Sequence, residues 1–164
     1  MRVSILAAAT VVVMAAASPG GAADTKHKLP YYASISAAKA RMRTGPGRTY
    51  PASWLYVRPD LPVRVVAVFK EWRKVEDPGG TQGWILANLL SDKRSGFVPG
   101  DTGAAVELRD RPAAGAHVAW RAASGVVGRL SQCGNGWCRM DVHGQSGFVE
   151  QGRLWGIDQG ETLP

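Results

Sequence analysis

The segment ARMRTGPGRTYP at residues 40–51 decides the fold, because it opens a pattern that the chain repeats about 65 residues later. Three pairs of segments match in order: RTGPG at 43–47 with RDRP at 109–112, WRKVE at 72–76 with WCRMD at 137–141, and GWI at 83–85 with GFV at 147–149. Their offsets are 66, 65 and 64 residues. Ordered matches at nearly constant spacing indicate an internal duplication.

Each copy is predicted to consist of short strands joined by tight turns. In the first copy, residues 61–69 are rich in β-branched side chains, and residues 72–77 alternate before the turn Pro78-Gly79-Gly80. In the second copy, Asn135-Gly136 is a strong hairpin signal because both residues tolerate a positive φ. Units of about 60 residues with five short strands predict small closed or half-open barrels.

These segments resemble the bacterial SH3-like (SH3b) family. Residues 40–51 are similar to its opening strand and the Gly-Pro turn that leads to Tyr-Pro, and WRK and GWI are similar to its later strands. The resemblance implies an all-β fold of two tandem five-stranded barrels, with a short 3₁₀ turn near residues 88–90. It also implies a role in binding rather than catalysis. Family members occur in cell-envelope and peptidoglycan-associated proteins, often beside a hydrolase domain.

The second copy is expected to be degenerate, since RDRP at 109–112 lacks the Gly-Pro-Gly and Tyr-Pro elements. The expected organisation is a signal peptide at 1–23, an N-terminal extended segment at 24–33, a first barrel at 34–96, a second barrel at 97–158 and a C-terminal tail at 159–164. The two ends, residues 24–30 and 159–164, are expected to be loose.

The N-terminal residues predict export. Arg2 precedes an apolar run at residues 3–17, and Gly21 and Ala23 occupy the −3 and −1 positions of a signal-peptidase site. A membrane anchor is the alternative, but the run is shorter than the roughly 20 apolar residues that a spanning helix needs. The sequence therefore predicts a periplasmic or secreted protein that is cleaved near Ala23, with no later segment that could span a bilayer.

The positive charge is concentrated in the first copy. Residues 24–96 carry 13 Lys or Arg against 6 Asp or Glu, a net charge of +7, whereas residues 97–164 carry 6 against 7, a net charge of −1. This asymmetry favours an anionic envelope polymer or a membrane surface as the partner. The alternative is a solvated basic face that aids solubility. Nucleic acid is not the expected ligand, because export separates the chain from it.

Two tryptophans at equivalent positions are candidate contacts. Strand alternation predicts that Trp72 lies on the face opposite Val75, and therefore on an exposed face. Trp137 repeats this arrangement beside Arg139, and these two are the candidates of the second copy. An exposed indole offers a large contact area at little entropic cost. The alternative is a ring that folds back to cover the end of the barrel.

The loop after the first strand contributes Tyr50, Trp54 and Tyr56, together with Arg43 and Arg48. If this loop faces Trp72, it forms an aromatic groove with basic edges, suited to a peptide or glycan-peptide that bears carboxylates. The alternative is that Trp54 and Tyr56 plug the barrel. Leucines stand where eukaryotic SH3 domains carry ligand-binding Pro and Tyr, so a proline-rich peptide is not the expected ligand.

The cysteines, Cys133 and Cys138, are predicted to form a disulfide. An exported protein meets an oxidising environment, and a two-residue turn at Asn135-Gly136 makes Cys133 and Cys138 cross-strand neighbours. A zinc site would need four ligands, and these cysteines with His143 supply three.

No cofactor motif, metal site or paired catalytic carboxylates are found. The leading hypothesis is an exported, non-catalytic module that binds peptidoglycan or its peptides. The alternative is a scaffold or accessory subunit that binds an envelope protein.

Overall fold

The chain forms two sheets. A computed structural model describes residues 27–100 and 105–164, whose regular structure is β-strand apart from two short 3₁₀ helices. This confirms the all-β fold. The predicted signal peptide at residues 1–23 lies outside the described residues. No helix within them is long and apolar enough to cross a membrane.

The first barrel is built on a sheet to which the described residues contribute seven strands, in the order β3-β2-β6-β5-β4-β1-β7. They are β1 (Tyr31–Ile35), β2 (Ala40–Arg43), β3 (Ala52–Tyr56), β4 (Pro62–Phe69), β5 (Trp72–Glu76), β6 (Gln82–Leu86) and β7 (Leu90–Ser91). A 3₁₀ helix at Ala87–Leu89 links β6 to β7, one residue before the predicted position.

The second barrel is built on a sheet of six described strands, in the order β10-β9-β13-β12-β11-β8. They are β8 (Ser95–Phe97), β9 (Ala105–Arg109), β10 (Val118–Ala123), β11 (Val127–Gly134), β12 (Trp137–Val142) and β13 (Gln145–Glu150). A 3₁₀ helix at Gln151–Arg153 follows β13.

The two sheets have the same topology, as the duplication predicts. Strands β1 to β6 correspond in order to β8 to β13. Trp155 forms an isolated bridge with Phe97 of β8, in the position that β7 takes beside β1. Strand β1 begins at Tyr31, three residues before the expected start of the first barrel, and β8 begins at Ser95, two residues before the expected start of the second.

Each barrel has its own core. The first is centred on fully buried aliphatic side chains of β1, β4, β5 and β6, among them Ile35, Val63, Val75 and Ile85. The second contains Leu108, Met140, Val149 and both cysteines. Alternate residues of each strand face these cores, so the intervening residues of β2, β5 and β6 form an outer face.

Gly83 allows β6 to approach β2 closely. A Cβ atom at this position would lie 2.5 Å from Met42 Cγ and 2.9 Å from the Arg43 carbonyl oxygen. Gly147 has the same role in the second barrel, where a Cβ atom would lie 2.8 Å from Leu108 Cβ and 3.2 Å from the Arg109 carbonyl oxygen. The repeated GWI and GFV motifs therefore begin with glycine because two strands meet there without room for a side chain.

The disulfide between Cys133 and Cys138 is present, as predicted. Gly134 pairs with Trp137 across the Asn135-Gly136 turn, which is the expected register. Asn135 and Gly136 both adopt positive φ angles, of 51° and 82°. Both cysteines are buried, so the disulfide lies on the core side of the hairpin.

The C-terminal tail is docked, so the expectation that residues 159–164 are loose is wrong. Gln151 is fully buried, and its amide group donates to the Glu161 carbonyl oxygen (2.7 Å) and accepts from the Gly160 N–H (2.8 Å). Leu163 bridges to Cys133. Arg94 pairs with the Glu161 carboxylate through both terminal guanidinium nitrogens. The two hydrogen bonds that hold the tail backbone come from the buried Gln151. The composition of the tail alone does not predict them.

Polar contacts join the two barrels. The Ser34 and Ser95 hydroxyl groups lie 2.6 Å apart and are both buried. Arg129 of the second barrel pairs with Asp60 of the first (Nη2 to Oδ2 3.1 Å). The barrels therefore share an interface rather than only a connecting segment.

We expect Gly83→Ala to destabilise the protein, because the added methyl group would overlap the Met42 side chain and the Arg43 carbonyl group. The free energy of unfolding should fall by about 1–3 kcal/mol, as for other overpacked sites. Denaturant unfolding measures the change. Gly115→Ala is the control, since no heavy atom lies within 4 Å of its Cβ position. Equal stability of the two variants would contradict the close approach.

Glu161→Gln should lower the Tm at neutral pH. Burial alone would raise the pKa of Glu161, but the hydrogen bonds from Arg94 and the Asp158 backbone and the charge of Arg94 together hold it below its ordinary value of 4.5. A carboxyl group whose pKa is lowered on folding stabilises the folded state above its unfolded pKa, and this stabilisation is lost as the pH falls through the folded pKa. The Tm difference from the parent protein should therefore be full at pH 7, shrink as the pH falls below 4.5, and disappear only below the lowered pKa of the folded state. A difference that does not depend on pH would argue against the charged pair.

Candidate functional site

The outer face of the first barrel carries a row of basic side chains. In β2, Ala40 and Met42 are buried, whereas Arg41 is exposed and Arg43 is half-buried. The pairing of Arg43 with Trp84 and of Lys74 with Trp84 sets one indole between two cations on this face. Cationic and aromatic groups therefore alternate across β2, β6 and β5.

A shallow cavity of about 320 Å³ opens on this face, and we call it the basic groove. Its cations are Lys39, Arg41, Arg43 and Arg48. Its apolar part is formed by Leu55, Trp72, Leu86 and Leu89. The sequence predicted three of these residues as contacts, namely Arg43, Arg48 and Trp72. It did not predict Lys39, Arg41 or the leucines as contacts.

The four cations have no acidic partners among the residues that the structure describes. Among residues 27–100 and 105–164, no carboxylate forms an ion pair with any of them. Arg43 Nη1 donates to the Tyr50 carbonyl oxygen (2.6 Å), which fixes the loop but leaves the charge uncompensated. The basic groove therefore combines an apolar floor with an excess of positive charge.

Trp72 is buried, with 3% of its surface exposed, so the prediction of an exposed platform is wrong. The ring does lie outside the core cluster that contains Val75, as strand alternation predicts. Trp72 is nevertheless among the residues that line the basic groove. Trp72 therefore forms part of the floor, and Trp72→Ala would open a void there rather than remove only a contact.

Tyr56 is also buried, at 5% exposure, and packs in the first core, so it does not line the basic groove. Its hydroxyl group donates to Asp77 Oδ2 at 2.8 Å. Burial, followed by this hydrogen bond and the charge of the carboxylate, raises the pKa of Tyr56 well above its ordinary value. Tyr56 was expected either to contact a ligand or to plug the barrel, and its burial in the core agrees with the second possibility.

Trp54 is 57% exposed but points away from the basic groove. It pairs with the buried Met42 across β2 and β3, whereas the neighbouring Leu55 pairs with Arg41 and lines the groove. The prediction that Trp54 lines the groove is therefore wrong, because strand alternation places Leu55 there instead.

Tyr50 is exposed and holds the loop in shape. Its ring lies over Gly45, where a Cβ atom would come within 2.3 Å of Tyr50 Cδ1. Together with the hydrogen bond from Arg43 to its carbonyl group, this contact explains why the loop needs glycine at position 45. Tyr50 supports the arginine that lines the groove and does not itself line it.

The second barrel has a cavity at the equivalent place, of about 350 Å³. Arg109 corresponds to Arg43, because each pairs with the aromatic residue after the motif glycine. Glu107 stands in the position of Arg41 and forms ion pairs with Arg109 (2.6 Å) and with Arg121 (2.9 Å). The positive charge of this cavity is therefore largely neutralised from within.

The two candidates of the second copy differ in position. Trp137 lines this second cavity and is half-buried. Arg139 is exposed on the same face, and its Nη2 donates to Ser146 Oγ at 2.9 Å. Glu150 and Arg153 replace the apolar Leu86 and Leu89 of the first barrel, so the second cavity is the more polar of the two.

The sequence contains a signal for the missed cation Arg41. The alternation in ARMR puts Arg41 and Arg43 on one face of a strand, opposite Ala40 and Met42. No comparable local signal exists for Leu55, because it reaches the groove only when β3 pairs with β2. Within the part of the chain that the structure describes, no group of three His, Cys, Asp or Glu side chains is arranged to hold a metal ion.

The bacterial SH3 domain family matches the chain twice, over residues 36–92 and 102–156. No curated protein matches the chain. Similar solved structures include NlpC2 from Trichomonas vaginalis (10% identity, 79% of this chain and 49% of that chain, TM-score 0.35). Others are NlpC1 from the same organism (11%, 82% and 48%, 0.35) and an NlpC/P60 family protein from Bacillus cereus (13%, 81% and 58%, 0.34). The chain spans about half the length of these proteins.

Tyr56→Phe should destabilise the first barrel without altering the basic groove. The change removes only the hydroxyl group that donates to Asp77. A hydrogen bond to a charged group contributes about 1.5–3 kcal/mol to the free energy of unfolding. Denaturant unfolding of the variant measures this loss. An unchanged free energy of unfolding would contradict a structural role for the Tyr56 hydroxyl group inside the barrel.

Proposed function

The chain belongs to the bacterial SH3 domain family, and we propose that its first barrel binds an anionic ligand of the cell envelope, such as peptidoglycan or its peptides, without catalysing a reaction. The basic groove would receive the ligand. Arg41 and Arg43 would pair with carboxylates, and the leucines above the buried Trp72 would contact its apolar parts. Guanidinium groups suit this task because they bind carboxylates through two parallel hydrogen bonds.

The difference between the two barrels supports this proposal most strongly. The same cavity occurs twice on the same topology. Only the first combines three leucines with four cations that have no acidic partner among residues 27–100 and 105–164. Holding like charges together without compensation is unfavourable for the folded protein, and a bound anion would relieve the repulsion. Solubility alone would not require an apolar floor beneath these charges.

Binding without catalysis agrees with the chemistry of the side chains. Both cysteines of the chain form the disulfide, so neither supplies a thiol nucleophile. The disulfide is compatible with an oxidising compartment outside the cytoplasm, where we propose that the protein acts. In that compartment a cell-wall polymer is available to the groove, and nucleic acid is not.

A protein partner is the second candidate, and the exposed apolar side chains of the first barrel favour it. Trp54 and Val57 are 57% and 64% exposed at the end of edge strand β3. Exposed aromatic side chains are frequent in protein interfaces. In this case the protein would be a scaffold or accessory subunit, and the basic groove would only steer the association.

We expect Arg41→Gln to weaken retention on purified, protein-free sacculi by about tenfold, which corresponds to the loss of one charge-assisted contact. Raising the salt concentration should weaken retention of the parent protein further. The matched control is Arg111→Gln, which removes an exposed arginine from the second barrel.

Two results would count against the proposal. Equal retention of both variants would exclude the basic groove as the binding site. Absence of retention, together with co-purification of one stoichiometric envelope protein, would favour the scaffold function instead.

A further inference from the structure

A cleft with a volume of about 570 Å³ lies between the two barrels. The loop between β3 and β4, residues 57–60, forms one wall. The start of β11 (residues 127–129), the end of β12 and the turn that follows it (residues 141–144) form the other. We call it the inter-barrel cleft. It shares no lining residue with the basic groove.

We propose that the inter-barrel cleft binds a short zwitterionic peptide, with the peptide carboxylate at Arg58 and its ammonium group at Asp141. This site does not depend on the function proposed for the basic groove. Cavities of about 300–1,000 Å³ are typical of small-molecule sites, and they occur preferentially at domain interfaces.

Arg58 supplies the positive charge. Its side chain is exposed at the cleft, and no carboxylate among the described residues forms an ion pair with it. The other cleft arginine, Arg129, is engaged by Asp60 at 3.1 Å. Arg58 can therefore bind the carboxylate of a ligand without breaking an ion pair of the protein.

Asp141 supplies the negative charge. It is half-buried and accepts one hydrogen bond from the backbone N–H of Gly144 at 3.2 Å. Arg129 is its cross-strand neighbour, but the guanidinium group of Arg129 is bound to Asp60 of the other barrel. Within the described ranges, Asp141 has no cationic partner.

The pair between Arg129 and Asp60 thus leaves one uncompensated cation and one uncompensated anion at the same cleft. A purely anionic ligand would be repelled by Asp141, and a purely cationic one by Arg58. A zwitterion satisfies both. The remaining walls include Val57, Pro59 and Val142, which offer apolar surface to short aliphatic side chains.

The test uses the full chain and the dipeptide L-alanyl-L-alanine, followed by NMR chemical-shift titration. Binding should shift the backbone amides that border the cleft. Arg58→Gln and Asp141→Asn should each weaken the affinity by about fivefold or more, as expected for the loss of a charge-assisted contact. Asparagine still accepts the Gly144 hydrogen bond, and Arg58 has none to lose, so both variants should fold. Arg111→Gln is the control and should bind as the parent protein does.

Capped peptides identify which end of the dipeptide meets which residue. N-acetylated dipeptide should bind weakly, and Asp141→Asn should not weaken it further. The C-terminal amide should likewise be insensitive to Arg58→Gln. Shifts that are absent, that lie outside the cleft, or that are equal for capped and uncapped peptides would overturn the proposal. Sacculus retention should be unchanged in both cleft variants, which separates this site from the basic groove.

Discussion

The close approach of β6 to β2 at Gly83 is the constraint on which the rest of the first barrel depends. Because no side chain stands between the strands, Met42 can fill the core beneath them while Arg43 is carried to the outer face beside Trp84. The glycine therefore closes the barrel and positions the cations of the basic groove through the same contact. Gly147 repeats the constraint against Leu108, which is why both copies keep a cavity at this place.

Duplication preserved the backbone and changed the charges. Glu107 takes the position of Arg41 and binds two arginines, so the second cavity compensates its own positive charge. Ion pairs of this kind at a protein surface contribute little to stability, at most about 1 kcal/mol. Their main consequence here is electrostatic: carboxylates stand among the arginines of the second cavity, whereas cations and no carboxylate line the basic groove.

The sequence predicted the features that depend on a few adjacent residues. The Asn135-Gly136 turn sets the register that joins Cys133 to Cys138, and this register is local. The exposure of Trp72 was predicted wrongly, because alternation determines the face of a strand but not what covers that face. The prediction for Trp54 was wrong for a related reason. The register of β3 against β2 directs Leu55, and not Trp54, into the groove. The docked tail depends on the buried Gln151, whose partners lie about ten residues away.

The second barrel also matters through its contact with the first. Asp60 has a φ of 61°, in a region that non-glycine residues seldom occupy, and its backbone N–H donates to Ile35 while its carboxylate holds Arg129. Such conformations persist only where the surroundings fix them. The same contact withdraws Arg129 from Asp141 and so determines the charge pattern of the inter-barrel cleft. The second barrel, whose own cavity is largely neutralised, therefore contributes one wall and the Asp141 carboxylate to the inter-barrel cleft. Neither barrel could form this cleft alone.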